Sequence, residues 1–136
     1  MQKLSVVIPA FNEEKRIEAC LESVKFADEI IFINNSSTDN TVKIAEKFTK
    51  KIFNRENNLM LNVNKNYGFT KATGDWILSL DADEQITPEL AKEIKEHLAS
   101  SVHPDFLRSG IPLYKVESGG TSETKSDVVK NAFTNA

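Results

Sequence analysis

Continuous apolar runs alternate with segments of helical periodicity over residues 1–100 of this chain. Three runs have the length and residue types of strands, namely Leu4–Ile8, Glu29–Asn34 and Trp76–Leu80, and Lys51–Phe53 is a weaker candidate. The second run shows no alternation of apolar and polar residues. Such runs are expected where helices cover both faces of a parallel sheet, so these strands are predicted to be buried.

Helical patterns follow these runs. After the first run, one apolar face is formed by residues spaced three and four apart: Ile17, Cys20, Leu21 and Val24. Asn12 is predicted to cap this helix. A second helix follows a turn rich in capping residues and is predicted to end near Phe48.

The third helical segment, Leu61–Thr73, is a poor helix by propensity because it contains several asparagines and Gly68. Gly74 is predicted to cap its C-terminus. A locally unfavourable segment in an otherwise consistent chain indicates a place to look for function. The fourth helix has Thr87 as its predicted cap and Pro88 at its first position.

The order β-α-β-α-β-α-β-α predicts an α/β fold. Its sheet should be mostly parallel and Rossmann-like, with right-handed crossovers and helices on both faces. Residues 1–100 are expected to form this unit. Within residues 101–136, Ile111–Val116 is a candidate for one more strand and the remainder is weakly patterned.

The composition is that of an ordinary globular domain. The chain has 136 residues, 40% hydrophobic and 27% charged, with a formal net charge of −3. A nucleic-acid-binding surface would normally be basic, so no nucleic-acid partner is predicted. Cys20 is the single cysteine, and the N-terminal apolar run is too short for a signal peptide or a membrane span. We expect a cytoplasmic protein, able to lie at the inner face of the cell membrane through a partner.

The strongest chemical signal is the tetrapeptide Asp81-Ala82-Asp83-Glu84, which directly follows the apolar run Trp76–Leu80. The acids should therefore emerge at the carboxyl end of a buried strand, the edge at which open α/β sheets bind ligands. Two carboxylates one residue apart can share a hard divalent cation together with substrate phosphates. The motif predicts a metal-assisted site for a phosphorylated ligand.

Four segments carry a resemblance to one family: Leu4–Glu14, Ala27–Ile31, Ser37–Thr41 and Ala72–Glu84. With these motifs the chain resembles the family-2 inverting glycosyltransferases, which have the GT-A fold. Among them it looks most similar to the branch that includes lipopolysaccharide-core β-glucosyltransferases. The resemblance implies that residues 1–100 form the nucleotide-sugar-binding half, and that the chain ends before the acceptor-binding half.

The resemblance implies a nucleotide pocket that includes Pro9, Phe11, Glu13 and Asn34. Phe11 would offer the base a stacking surface, although it could instead pack under the following helix. Glu13 could also be a solvated first-turn acid. Relatives commonly have an aspartate at the position of Asn34, whose amide oxygen can accept a hydrogen bond from the base only without charge assistance.

The resemblance also implies a site for the diphosphate and its cation. Lys65 would neutralise the diphosphate as a point charge, with Arg55 as a second, weaker candidate. Asp81 would contact the ribose or the metal, and Ala82 would line the same pocket. Asp83 would bind the metal, for which Mn²⁺ or Mg²⁺ suits oxygen ligands.

The implied reaction is metal-assisted transfer of a sugar, with inversion, from a nucleotide-sugar to a glycan or lipid-linked acceptor of the cell envelope. A UDP-sugar is the expected donor. No catalytic base is assigned among the remaining carboxylates of the tail: Asp105, Glu117, Glu123 and Asp127. The alternative is a non-catalytic or partner-dependent nucleotide-sugar-binding module. Apolar surface left by a missing acceptor half is expected to favour self-association.

Overall fold

The structure is a computed structural model that describes residues 2–56, 61–99 and 112–116. Strands and helices alternate along these residues in the predicted order. The strands are β1 (Leu4–Ala10), β2 (Glu29–Asn34), β3 (Ile52–Asn54), β4 (Trp76–Ser79) and β5 (Leu113–Lys115). The helices are α1 (Ile17–Ser23), α2 (Thr41–Ala45), α3 (Leu61–Lys71) and α4 (Pro88–Ala99).

The described strands form one sheet in the order β3-β2-β1-β4-β5. β1 pairs in parallel with β2 and β4, and places Val6 opposite Ile30 and Val7 opposite Ser79. β3 is parallel to β2, whereas β5 is antiparallel to β4. The predicted α/β fold with a mostly parallel sheet is confirmed, and β5 lies inside the segment predicted as an extra strand.

Helices cover both faces of the sheet, as predicted. One core cluster packs α1 and α4 against the sheet through buried residues that include Leu4, Val6, Ile8, Ile17, Cys20, Leu21, Leu90 and Ile94. The second cluster packs Phe69 of α3 against Val7, Ile31 and Ile33 on the other face. Val6 and Val7 therefore point into different layers, as neighbouring residues of a strand must.

Two glycines permit close approach of backbone to the sheet. A Cβ at Gly68 would lie 2.4 Å from Cγ1 of Val7, so this glycine lets α3 pack directly on β1. A Cβ at Gly74 would lie 2.7 Å from Oγ of Ser5, and the Gly74 N–H donates to that oxygen at 2.9 Å. The prediction that Gly74 caps α3 is wrong, because the helix ends at Lys71.

Two predictions about the end of β1 are also wrong. Pro9 does not stop the strand, which continues to Ala10 and keeps its register with β2. Alternate residues of a parallel strand bond to alternate sides, so the missing N–H of Pro9 falls on the β4 side, where the ladder has ended at Ser79. Asn12 does not cap α1, which begins at Ile17 after a turn.

Helix boundaries agree with prediction at α4 and differ at α2. The Thr87 hydroxyl accepts the Leu90 N–H at 3.1 Å, which confirms the predicted cap. α2 ends at Ala45 rather than near Phe48, and the chain continues in a tighter turn in which the Phe48 N–H donates to the Ala45 carbonyl at 2.9 Å.

Within the described residues, no helix combines the length and the apolar character needed to cross a membrane.

Candidate functional site

Three loops meet at the carboxyl edge of the sheet, because β1, β2 and β4 are parallel neighbours. They are residues 11–16, 35–40 and 80–87. Lys65 reaches the same edge from α3. The other predicted site residues lie in these loops or at the strand ends before them: Pro9, Phe11, Glu13, Asn34, Asp81, Ala82 and Asp83.

The acidic loop is shaped by its own third acid. The Asp81 N–H donates to a Glu84 carboxylate oxygen at 2.9 Å, and the Glu84 N–H donates back to the Asp81 carbonyl at 2.9 Å. Ala82 is buried between the two aspartates. Glu84 therefore closes a tight turn that leaves the Asp81 and Asp83 side chains half exposed.

Helix α1 holds this loop at two points. The Cys20 thiol donates to the Asp81 carbonyl at 3.6 Å, and the Ser23 hydroxyl accepts the Ile86 N–H at 2.9 Å. Burial, reinforced by the negative charges of Glu84 and its neighbours, raises the pKa of Cys20 to about 12. The thiol therefore keeps its proton and stays a donor. Sequence patterns identified Cys20 only as a core residue and gave no signal for Ser23.

Two cations face the two aspartates. Lys65 Nζ lies 3.0 Å from Asp81 Oδ1, and the guanidinium of Arg16 lies 3.9 Å from Asp83 Oδ2. In the ion pair of Lys65 and Asp81, the lysine is the less accessible partner, with 18% of its side chain exposed against 55% for Asp81. Lys65 was predicted for this site, whereas Arg16 was not.

Glu13 lies beside this charge cluster. Its Oε2 is buried and accepts no hydrogen bond from the described residues, although Arg16 Nε lies 3.2 Å away without hydrogen-bond alignment. Its backbone N–H donates to the Thr41 hydroxyl at 2.9 Å, and its carbonyl accepts the Ile17 N–H at 2.8 Å. Glu13 therefore joins the β1 loop to the starts of α1 and α2, and its carboxylate keeps spare acceptor capacity.

The first two loops are latched together by Asn12. The Asn12 Oδ1 accepts the Thr38 N–H at 2.7 Å, and the Asn12 N–H donates to the Ser37 hydroxyl at 3.0 Å. Asn12 has a φ of 50° and Ser36 a φ of 64°, both in the left-handed region that non-glycine residues rarely adopt. Phe11, next to the latch, is 43% exposed. The ring is therefore available to a ligand rather than packed under α1.

Asn34 is already engaged within the protein. Its Oδ1 accepts the Ser37 N–H at 3.0 Å and its Nδ2 donates to Asn54 Oδ1 at 2.9 Å. One lone pair of Oδ1 and one N–H of Nδ2 are therefore left for a ligand. Asn35, the next residue, is also buried and accepts from Asn64 of α3 at 2.7 Å. Sequence patterns identify Asn35 only as a turn residue and Asn64 only as a residue that disfavours a helix.

Arg55 takes a structural position. Its guanidinium lies over the Tyr67 ring, 4.1 Å from the centroid, and its Nε donates to Asn64 Oδ1 at 3.4 Å. These contacts attach the end of β3 to α3. Asn64, one of the asparagines that weaken α3 as a helix, thus forms polar contacts at the edge of the site.

The donor chemistry at the acidic loop fits a hard cation. Asp81 and Asp83 provide carboxylate oxygens that are half exposed, as Mg²⁺ and Mn²⁺ require when a substrate phosphate completes the ligand set. No group of three or more His, Cys, Asp or Glu side chains is arranged to hold a metal within the described parts of the chain. Of the described residues, these two carboxylates are thus the candidate ligands, and the ligand or water would supply the rest.

A groove of about 410 Å³ lies at the opposite end of the sheet. Its lining includes Lys25, Asp28, Glu29, Lys47 and Lys51, and no predicted site residue. The Glu29 carboxylate there is saturated by Ser5, Thr73 and Lys51. Ligand chemistry favours the carboxyl edge over this groove, because strand ends, half-exposed acids and a lysine meet there.

Comparison with known proteins decides the family. The family model described as Glycosyl transferase family 2 matches residues 5–117. The chain belongs to this family. An uncharacterized glycosyltransferase of Rickettsia typhi is 37% identical over 114 residues, which cover 83% of this chain and 39% of that protein.

A second relative of this glycosyltransferase-family chain is TarS of Staphylococcus aureus, a poly(ribitol-phosphate) beta-N-acetylglucosaminyltransferase. It is 31% identical over 122 residues, which cover 79% of this chain and 20% of TarS. The crystal structure of TarS residues 1–349 superposes with a TM-score of 0.70 and 20% identity, and covers 98% of this chain and 56% of that one.

The crystal structure of the same TarS fragment in complex with UDP-GlcNAc is also similar. It gives a TM-score of 0.57 and 28% identity, with 71% of this chain and 31% of that chain covered. The predicted family is therefore confirmed, and the chain spans less than half the length of the two sequence relatives. The binding roles of the individual site residues stay predictions.

Proposed function

We propose that this chain is the donor-binding part of an inverting, metal-assisted glycosyltransferase. One observation carries the proposal: an acid pair after β4, a lysine of α3 and an exposed aromatic ring after β1 converge at one sheet edge, in a family-2 chain. The proposed donor is a UDP-sugar, because TarS, a relative in this family, has been solved with UDP-GlcNAc.

Different residues at the edge bind different parts of the donor. Phe11 offers its exposed face to the base, and the free lone pair of Asn34 Oδ1 accepts one base N–H. Pro9 and Glu13 border this pocket, and Glu13 Oε2 accepts no hydrogen bond from the described residues, although it is ion-paired with Arg16. Lys65 provides positive charge for the diphosphate.

Asp83, with Asp81, would hold the divalent cation, either Mn²⁺ or Mg²⁺. When bound there, the cation supplies Lewis-acid stabilisation of the leaving diphosphate. Glu84, Cys20 and Ser23 fix the loop, so both carboxylates are oriented before a ligand arrives.

The proposed acceptor is a glycan or lipid-linked hydroxyl of the cell envelope, which attacks the anomeric carbon in line and gives up its proton to a carboxylate base. The candidates Asp105, Glu117, Glu123 and Asp127 lie outside the described residues, so no base is proposed.

The same proposal includes a cytoplasmic location at the inner membrane face, membership of the lipopolysaccharide-core branch, and self-association. A monomer in sedimentation at high concentration would contradict self-association.

Calorimetric titration tests the donor site. Wild-type protein is titrated with UDP and GDP, with and without Mn²⁺, beside Asp83→Asn and the control Glu96→Gln, an exposed acid on α4. We expect metal-dependent binding of UDP by the wild type and the control, lost in Asp83→Asn. Equal UDP binding by all three proteins would overturn the metal assignment.

A second candidate function is a nucleotide-sugar-binding module without catalysis. It is favoured by Asn34, an uncharged amide that already bonds to Ser37 and Asn54. Release of UDP from a UDP-sugar separates the two candidates, because both bind the donor and only the transferase cleaves it. Binding without any release of UDP, with acceptor present, would favour the module.

A further inference from the structure

Asp81 already has a positively charged partner within the protein. Lys65 Nζ lies 3.0 Å from Asp81 Oδ1, a distance typical of a charge-assisted hydrogen bond. The two residues come from different layers, because Lys65 belongs to α3 and Asp81 follows β4. The pair therefore joins the α3 layer to the acidic loop across the carboxyl edge of the sheet.

The two carboxylates of the acidic loop differ in how firmly a cation holds them. Lys65 has only 18% of its side chain exposed and contacts Asp81 closely. The guanidinium of Arg16 is largely exposed and lies 3.9 Å from Asp83, at the limit of an ion pair. Asp83 is thus open to a ligand, while Asp81 is neutralised by an ammonium with little access to water.

We infer that Lys65 is an exchangeable counterion, which neutralises Asp81 in the ligand-free protein and transfers to the diphosphate when a nucleotide binds. The inference rests on the proposed function, since it takes the acid pair as the metal site. The Lys65 amine must leave Asp81 before that carboxylate can bind a divalent cation through the same oxygen. Its flexible four-carbon stem allows that movement.

The exchange couples the binding of metal and nucleotide. A mostly buried ammonium that loses its carboxylate is costly unless another anion replaces it. The diphosphate is that anion, so metal alone should bind weakly and metal with nucleotide should bind strongly. Because coupling between two ligands is reciprocal, the nucleotide must also bind more tightly when metal is present.

Lys65→Gln tests the exchange through two affinities that should move in opposite directions. Binding of Mn²⁺ alone is measured from the free-ion electron paramagnetic resonance signal, and binding of UDP at saturating Mn²⁺ by calorimetry, both on the 136-residue chain. We expect the variant to bind Mn²⁺ alone roughly tenfold more tightly, and UDP roughly tenfold more weakly, as for sites with ordinary coupling. A merely structural role for Lys65 would not strengthen metal binding.

Lys71→Gln is the matched control, since Lys71 lies on the same helix with its amine over the Phe53 and Tyr67 rings. It should leave both affinities unchanged. Lys65→Met, which preserves the buried aliphatic stem, replaces the glutamine variant if that protein does not fold.

The outcomes separate the exchange from the proposed function. Unchanged or weaker Mn²⁺ binding in the Lys65 variant, in a protein that still binds UDP with Mn²⁺, overturns the exchange alone. Wild-type protein that binds no UDP under any condition overturns the proposed function together with the exchange.

Discussion

The Ser23 hydroxyl accepts the Ile86 N–H at 2.9 Å and donates to the Cys20 carbonyl at 2.6 Å, so one side chain ties the end of α1 to the acidic loop. The acidic loop is held at the Asp81 carbonyl by Cys20 and at the Ile86 N–H by Ser23, and it presents the Asp81 and Asp83 carboxylates. Their geometry therefore depends on a helix residue that has no ligand role of its own.

Replacing Ser23 by alanine should loosen the acidic loop. The change leaves the Ile86 N–H without its partner, which costs about 1–3 kcal/mol when the donor is shielded from water. We expect a lower free energy of unfolding in urea and weaker UDP binding in the presence of Mn²⁺. Ser23→Thr, which keeps the hydroxyl, is the control. Full stability in Ser23→Ala would show that water replaces the bond at no cost.

Gly68 offers a test of how α3 packs on the sheet. Alanine there gains about 1 kcal/mol of helix propensity, but its Cβ would lie 2.4 Å from Cγ1 of Val7 and 3.1 Å from Cγ1 of Ile33. Overpacking a closed core costs about 1–3 kcal/mol, so we expect Gly68→Ala to be destabilised in urea unfolding.

The second substitution Val7→Ala removes the clashing methyl groups and should rescue part of that loss. The coupling in a double-mutant cycle identifies the cause, because the two residues are in direct contact. A Gly68→Ala protein more stable than wild type would mean that α3 does not approach β1 this closely.

The strands and layers could be predicted because their signals are local. The unbroken apolar run at Ile30–Ile33 already indicates a strand covered on both faces, and four parallel strands place Asp81 and Asp83 at the ligand-binding edge. The poor helix propensity of α3 coincides with particular structural roles of its residues. Its glycine permits close packing, and Asn64 and Lys65 reach the site.

The contacts that shape the site could not be predicted, because they join residues far apart in sequence. Asn12 was interpreted as a helix cap, a role that asparagine commonly has, yet its left-handed backbone and its bonds to Thr38 depend on where the β2 loop lies. Ser23 carries no pattern at all. Pro9 by itself predicts a strand end, since nothing in the local sequence shows that β4 stops pairing beside it.

Glu29 predicts how stability depends on pH. Burial alone would raise the pKa of this carboxyl, but hydrogen bonds from Lys51, Thr73 and Ser5 lower it from 4.5 to about 2. A pKa lowered by folding adds stability that is present above pH 4.5 and is lost as the pH falls towards 2. The side chain is 7% exposed, and the shift corresponds to about 3 kcal/mol.

Urea unfolding of wild type and Glu29→Gln from pH 7 to pH 3 measures this contribution. We expect the variant to be less stable at pH 7 by about 2–3 kcal/mol, and the gap to narrow as wild-type Glu29 approaches protonation. A gap that stays constant over this range would contradict the lowered pKa.

Asn12 separates backbone strain from side-chain bonding in the loop latch. Asn12→Ala loses the hydrogen bond to the Thr38 N–H. It also places alanine, whose Cβ disfavours the left-handed region, at a φ of 50°, so we expect the free energy of unfolding to fall by about 2 kcal/mol. Asn12→Gly loses the same bond without the strain, so its free energy of unfolding should fall by about half as much.

Both Asn12 variants should also bind UDP more weakly, because Phe11 is no longer held in place, while binding of inorganic pyrophosphate with Mn²⁺ should be unchanged. Equal losses of UDP and pyrophosphate affinity would show that the latch supports the whole edge rather than the base pocket.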